Sequence, residues 1–238
     1  MNNILKKIEK LPLIAIFFVL WFAVAKILSP LFSMIFYKSG WQVLLPSLGG
    51  FILSASIITI AVMQIIKKNN IAVPIAAGVW LICEIFTYFG SVVTFFSNAF
   101  SGYSSAGWII TYLIDGLVQI LTILALASLV VVGLYGAGII KKLGKLNLLV
   151  YAPAAFAALA LIITVISCII GILFNMDNYY FVEGIFKVLI ISIPAAFWYA
   201  LTIASAGLWA GVSGREREEI SAEVVEEVTE EVVETPVE

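Results

Sequence analysis

Two carboxylic acids interrupt long apolar stretches of this sequence, and their type and position are suited to chemistry. Glu84 lies within the apolar segment 71–96, and Asp115 lies within the apolar segment 108–140. A carboxylate among apolar groups is costly unless it is paired or protonated. An acid in such a place can bind a cation or exchange a proton, so both residues are candidate functional groups.

Glu84 is followed by polar side chains at helical spacing. Thr87, Tyr88 and Ser91 lie three, four and seven residues after it, so in a helix the four side chains share one face. This face predicts a polar path along which a solute or an ion moves. The alternative is structural, with a protonated Glu84 that donates a hydrogen bond to a neighbouring helix.

Asp115 has a predicted partner in the first apolar segment, 11–30. Lys26 lies toward the end of that segment, and the alternating directions of successive helices place it at a depth similar to that of Asp115. An ion pair between the two would offset much of the cost of each charge. We expect this pair to be structural. The alternatives are a transport site at Asp115 and a Lys26 that extends its amine to the membrane interface by itself.

Other chemistry has little support in the sequence. Cys83 and Cys168 lie within apolar runs, where the usual role of cysteine is that of a small buried hydrophobe, and the chain has no histidine. The usual zinc, haem and iron–sulfur sites need more ligands than this, so no metal and no cofactor is predicted. No GxSxG, Walker, HExxH or dinucleotide-binding pattern occurs, and we expect no enzymatic activity.

The elements that position these residues are predicted to be membrane-spanning helices. The 238 residues are 63% hydrophobic and 12% charged, with a mean hydropathy of +1.12. A helix needs about 20 apolar residues to cross a bilayer, and the apolar runs lack the alternation of barrel strands. The sequence therefore predicts an all-α, polytopic transmembrane bundle of about six spanning helices, over residues 11–30, 43–66, 71–96, 108–140, 147–174 and 185–211.

The basic residues predict an orientation. Ten lysines and arginines lie on one side of the predicted topology, near the N-terminus, in the connections 67–70 and 141–146, and at the start of the tail. Because such residues favour the cytoplasmic side, both termini are predicted to be cytoplasmic, in the cell (plasma or inner) membrane. The first segment also resembles a signal peptide, with Ala23-Val24-Ala25 as a cleavage site, so two fates of that segment remain open.

Charge divides the chain into two parts. Residues 215–238 hold ten of the fifteen acids and two arginines, whereas residues 1–214 hold eleven lysines against five acids. We therefore expect a six-helix transmembrane domain over 1–214 and an acidic cytosolic tail over 215–238. The composition of the tail favours disorder, with a marginal amphipathic helix as the alternative. Such a tail is suited to a basic cytosolic partner, and no nucleic-acid-binding pattern is present.

Small residues in the sixth segment predict close helix packing. Gly207 and Gly211 form a GxxxG pair, which lets helix backbones approach closely. Packing within one chain is the simpler interpretation, and a homo-oligomer through the Gly207 face is the alternative. Pro194, inside the same segment, is expected to kink the helix.

Two functional hypotheses follow from these features. In the first, the bundle is a transport component for a small solute or an ion, with Glu84 as the protonatable or cation-facing group. In the second, the protein is a non-transporting membrane scaffold or complex subunit, whose helix faces and acidic tail recruit partners. The bilayer is the one partner that both hypotheses require.

Overall fold

A computed structural model describes residues 44–66, 70–100, 106–141, 143–174, 185 and 188–233. These ranges are almost wholly helical. The long apolar runs explain why, since a backbone in hydrocarbon must satisfy its hydrogen bonds within the segment. The elements, in chain order, are α1 (Leu44–Ile65), α2 (Ala72–Phe100), α3 (Ala106–Gly136), a 3-10 helix (Gly144–Tyr151), α4 (Ala152–Phe174), a π-helical turn (Val188–Ser192) and α5 (Ile193–Val233).

Four apolar helical stretches are long enough to cross a membrane within the described residues: Ala72–Ala99, Ile109–Gly136, Leu148–Leu173 and Val188–Ser221. The described residues thus form an all-α, multi-pass bundle with four such helices, where the sequence predicted six for the whole chain. The difference has two sources. The predicted segment 11–30 lies outside the described residues, and the apolar stretch Phe51–Ile65 of α1 falls short of a full span.

The central helix of the described bundle is α3. It packs against α2 on one side and against α4 and α5 on the other, while α1 packs mainly on α2. Small and branched side chains from all five helices form the main core, with Trp80 as its largest member. Consecutive helices are therefore antiparallel neighbours, as short connections favour.

Much of the outer surface is apolar. Phe86, Phe89, Val93 and Phe96 of α2 are each more than half exposed, and α4 presents a similar row. An apolar surface this large is unfavourable in water, and a bilayer would cover it. The exposed phenylalanines are thus consistent with a lipid-facing side of α2.

A glycine with a left-handed backbone conformation follows the end of α3. Gly138 has a φ of +79°, the left-handed conformation that only glycine adopts at low cost. Its N–H donates to the carbonyl of Tyr135, and the N–H of Ile139 donates to the carbonyl of Leu134, which together form a Schellman cap. The predicted segment 108–140 therefore ends as a helix at Gly136.

Glycines on α5 allow it to touch the start of α4. A Cβ atom on Gly207 would lie 2.7 Å from Cβ of Pro153, and a Cβ on Gly211 would overlap the side chain of Val150. The structure thus places both glycines of the predicted GxxxG pair in contacts within one chain. A Cβ on Gly214 would likewise overlap the ring of Tyr135.

The last helix continues past the apolar segment. α5 is helical without a break from Ile193 to Val233, so its backbone crosses the predicted boundary at residue 215. The π-helical turn Val188–Ser192 immediately precedes α5, two residues before Pro194. Proline lacks an N–H and clashes with the carbonyl four residues earlier, so the irregular turn lies where Pro194 disturbs the helical hydrogen bonds. The division into a domain and a tail remains a prediction.

Gly207→Ala is expected to destabilise the bundle, and Gly171→Ala is its matched control. The added methyl group meets Pro153 in the first variant and nothing within 4 Å in the second. Overpacking of this kind costs about 1–3 kcal/mol. Thermal unfolding in detergent should show a lower Tm for Gly207→Ala alone. Equal Tm values for both variants would contradict the close approach of α4 and α5.

Candidate functional site

A cavity of about 320 Å³ lies between α2, α3, α4 and the start of α5. It is close to the middle of α2 and α3, where a bilayer would be most apolar. Its lining is mainly alanine, valine, leucine and isoleucine, with a small set of polar and aromatic side chains: Trp80, Glu84, Gln119, Thr122, Thr164, Ser192 and Tyr199. A mostly apolar cavity with a few converging polar groups is typical of a small-molecule site.

Glu84 is the acidic residue of this lining. It is half-buried, near the middle of α2, and its Oε1 accepts a hydrogen bond of 3.0 Å from Nε1 of Trp80. The two residues are four apart, so one turn of helix brings the indole N–H to the carboxyl group. Trp80 itself is 2% exposed and belongs to the core, which fixes the ring and hence the orientation of the acid.

Tyr199 adds a second aromatic ring from α5. Its centroid lies 5.9 Å from that of Trp80, and the two planes are inclined at 65°. Edge-to-face pairs of this kind are worth about 0.5–1.5 kcal/mol beyond the area they bury. The contact joins α2 to α5 beside Glu84, so two aromatic rings and a carboxyl group lie along one wall of the cavity.

Two of the four hydroxyl groups of the lining are left with only acceptor capacity for a bound molecule. Thr122 donates to the carbonyl of Val118 at 2.9 Å, and Thr164 donates to the carbonyl of Ala160 at 2.8 Å. A hydroxyl has one donor, so each oxygen can then only accept a hydrogen bond from a bound molecule. These two threonines therefore add to the electron-rich character of the cavity.

Gln119 joins two helices beside the cavity. Its Nε2 donates to Oγ of Ser91 at 3.4 Å, which links α3 to α2. Its Oε1 is buried and has no hydrogen-bond partner within the described ranges. A buried polar atom without a partner is unusual in a folded protein and calls for an explanation.

Of the polar face predicted to begin at Glu84, the structure places only Glu84 itself at the cavity. Glu84 lines the cavity, whereas Thr87, Tyr88 and Ser91 do not. Thr87 is exposed and donates to the carbonyl of Cys83 in its own helix, and the ring of Tyr88 contacts that of Phe89. Ser91 accepts the hydrogen bond from Gln119 and so lies at the α2–α3 interface.

Asp115 lies apart from the cavity. Its Oδ1 accepts a hydrogen bond of 2.7 Å from the hydroxyl group of Ser167, a residue of α4 that is 6% exposed. The proposed partner Lys26 lies outside the described residues. Asp115 thus has an observed role in joining α3 to α4, and its ion pair with Lys26 remains a prediction.

Sequence reasoning did not identify Trp80, Gln119 or Tyr199 as site residues. Trp80 carries a usable signal, because it lies four residues before an acid and can donate to it. Tyr199 carries none, since its place beside Trp80 depends on how α5 packs against the bundle. No group of three or more histidine, cysteine, aspartate or glutamate residues is placed to hold a metal ion in the part of the chain that is described.

No protein family model, curated protein or solved structure matches this chain. The candidate site therefore has to be interpreted from its own geometry and chemistry.

Trp80→Phe is expected to remove the hydrogen bond to the carboxyl group of Glu84 while it keeps an aromatic ring in the cavity wall. Loss of the indole N–H should shift the infrared band of Glu84, identified by difference against Glu84→Gln, because its Oε1 loses a hydrogen bond. Trp209→Phe, a tryptophan outside the cavity lining, is the control and should leave that band in place. An unshifted band in Trp80→Phe would show that the bond is absent in the membrane.

Proposed function

We propose that this protein is a transport component for a small solute or an ion, with Glu84 as its protonatable or cation-facing group. The observation that carries the proposal is the position of Glu84 in the wall of a cavity at mid-depth between four helices. Ionisable groups at that depth are rare and by default indicate a functional site. Solute sites of many transporters lie near the bilayer midplane.

The backbone immediately before α5 is irregular where it borders the cavity, and this irregularity supports the proposal. Ser192, the last residue of the π-helical turn, belongs to the lining, and Pro194 follows it. π-Helical turns inside helices are frequent at functional sites, and non-helical backbone at membrane depth is tolerated where it lines a cavity. In our proposal the turn at Val188–Ser192 gives way when the cavity opens to one side.

The membrane topology belongs to the same proposal. We infer six spanning helices, with 11–30 and 43–66 as the first two, both termini in the cytoplasm and the chain in the cell (plasma or inner) membrane. The contacts of Gly133 with Pro74 and of Tyr135 with Glu218 support a shared side for the start of α2, the end of α3 and the start of the tail. That side carries most of the basic residues.

A non-transporting scaffold is the second candidate, and one region favours it. At the basic end of the bundle, the hydroxyl group of Tyr135 donates to Oε2 of Glu218 at 2.8 Å, and the guanidinium of Arg215 lies 5.6 Å from the ring centroid of Tyr151. These contacts fix the first turns of the acidic segment against the bundle. A fixed acidic helix is suited to present charge to a basic cytosolic partner.

Proton-coupled transport should depend on Glu84 and not on Asp115. The purified full chain is placed in liposomes with a pH-sensitive dye inside, and a panel of small solutes is added outside. Glu84→Gln should slow solute-driven proton flux by at least about tenfold, because a glutamine amide cannot take up and release a proton. Asp115→Asn, which keeps an oxygen to accept from Ser167, should retain most of the flux.

Each result of this assay decides between the two candidates. Wild-type flux in Glu84→Gln would contradict the proposed role of the acid. Folded wild-type protein that moves no solute of the panel would count against transport and favour the scaffold.

Single cysteines test the topology. Ser97, near the end of α2, and Ser221, on α5, are both exposed, as is Lys141 in the connection after α3. In a variant with Cys83 and Cys168 replaced by alanine, an impermeant maleimide added to intact cells should label Ser97→Cys but neither Lys141→Cys nor Ser221→Cys. Labelling of Ser97→Cys and Ser221→Cys from the same side would exclude the proposed topology.

A further inference from the structure

We propose that the cavity binds a neutral, mainly apolar molecule with one hydroxyl group, such as a phenol or an alcohol, which donates a hydrogen bond to Oγ1 of Thr122 or Thr164. This inference rests on the proposed transport and deepens it, because it names the substrate class of the same cavity. In transport of a neutral solute, Glu84 acts as the protonatable group, and no cation has to approach it.

The charges around the cavity disfavour an ionic ligand. The described lining contains no lysine or arginine that could bind an anion. Its acidic residue, Glu84, accepts a hydrogen bond from Trp80 and takes part in at least one further polar interaction within the protein. Glu84 therefore does not need a cationic ligand as its partner. An ion of either sign would lose its hydration on entering a mainly apolar cavity, and a neutral ligand avoids this cost.

Small apolar side chains leave space for the body of the ligand. Val118 and Leu161 border the cavity, and much of its wall on α4 and α5 is formed by alanines 157, 160, 195, 196 and 200. Larger side chains at these positions would fill the space. The volume of about 320 Å³ is roughly twice the ~150 Å³ of an engineered apolar cavity that binds benzene. The cavity is thus large enough for a substituted aromatic ring.

Two threonines on neighbouring helices favour a ligand that donates a hydrogen bond. The hydroxyl proton of Thr122 on α3 is used by the carbonyl of Val118, and that of Thr164 on α4 is used by the carbonyl of Ala160. Both threonines are half-buried and line the cavity. Each oxygen can still accept a hydrogen bond, so a ligand hydroxyl group finds an acceptor at either threonine, whereas an ether or a ketone does not.

Photolabelling of the full chain in lipid nanodiscs tests the inference, with meta-(trifluoromethyldiazirinyl)phenol as the probe and peptide mass spectrometry as the readout. The label should appear on the peptides of α4 and α5 that line the cavity, and para-tert-butylphenol should suppress it. para-tert-Butylfluorobenzene, in which fluorine replaces the hydroxyl group, should need a concentration in the lipid at least about threefold higher, because it donates no hydrogen bond to the threonines. The charged para-tert-butylbenzylammonium should suppress the label less than the phenol does.

Matched variants locate the site. Ala196→Leu places a larger side chain in the cavity wall and should reduce labelling by at least about tenfold, whereas Ala158→Leu, at an exposed position of α4 outside the lining, should not. The double variant Thr122→Val, Thr164→Val removes both acceptors and should abolish the preference for the phenol over the fluoro compound. Thr94→Val, at an exposed position of α2 outside the lining, should keep that preference. If Ala196→Leu unfolds, the threonine variants decide.

The inference and the proposed transport can fail separately. The hydroxyl ligand would be overturned if para-tert-butylphenol suppressed no label on the cavity peptides, if the fluoro or the ammonium compound suppressed it equally well or better, or if the threonine double variant kept the preference. Proton flux driven by another solute in the same preparation would then leave transport standing. Suppressible labelling of the cavity without flux for any solute of the panel would support the site and count against transport.

Discussion

The close contact between α4 and α5 is the constraint on which the bundle depends. Lipid tails are as apolar as leucine, so burial alone does not hold helices together in a membrane, and tight packing must do so. At Gly207 and Gly211 the absence of a side chain lets α5 lie against Pro153 and Val150. Further along the same two helices, alanines and Tyr199 replace the glycines, and the cavity lies there. One helix pair thus supplies both the tightest contact and a wall of the candidate site.

Several polar side chains join two helices of the bundle. Gln119 joins α3 to Ser91 on α2, Asp115 joins α3 to Ser167 on α4, and Gln64 of α1 accepts from Ser205 of α5 at 3.2 Å. Hydrogen bonds of this kind between membrane helices average roughly 0.6 kcal/mol. Glu84 accepts a hydrogen bond from Trp80 of its own helix, and it lines the cavity.

The sequence was sufficient to find the acid but not its surroundings. An acid in an apolar run stands out because of its cost, so Glu84 and the all-α class were predictable. The neighbours of Glu84 were sought at Thr87 and Tyr88, yet helical side chains lean toward the N-terminus, and the observed partner is Trp80 one turn earlier. Tyr199 and Gln119 come from other helices, whose rotation depends on packing that a single sequence does not specify.

The glycine contacts of α5 also bear on how the protein is made. α5 follows the other four described helices in the chain, and its residues Ala195, Tyr199 and Ile203 line one side of the cavity. Until α5 inserts, Val150 and Pro153 lack the surface that Gly207 and Gly211 provide. The cavity is therefore complete only after α5 has been made and inserted, and a chain truncated before α5 lacks the wall that this helix supplies beside Glu84.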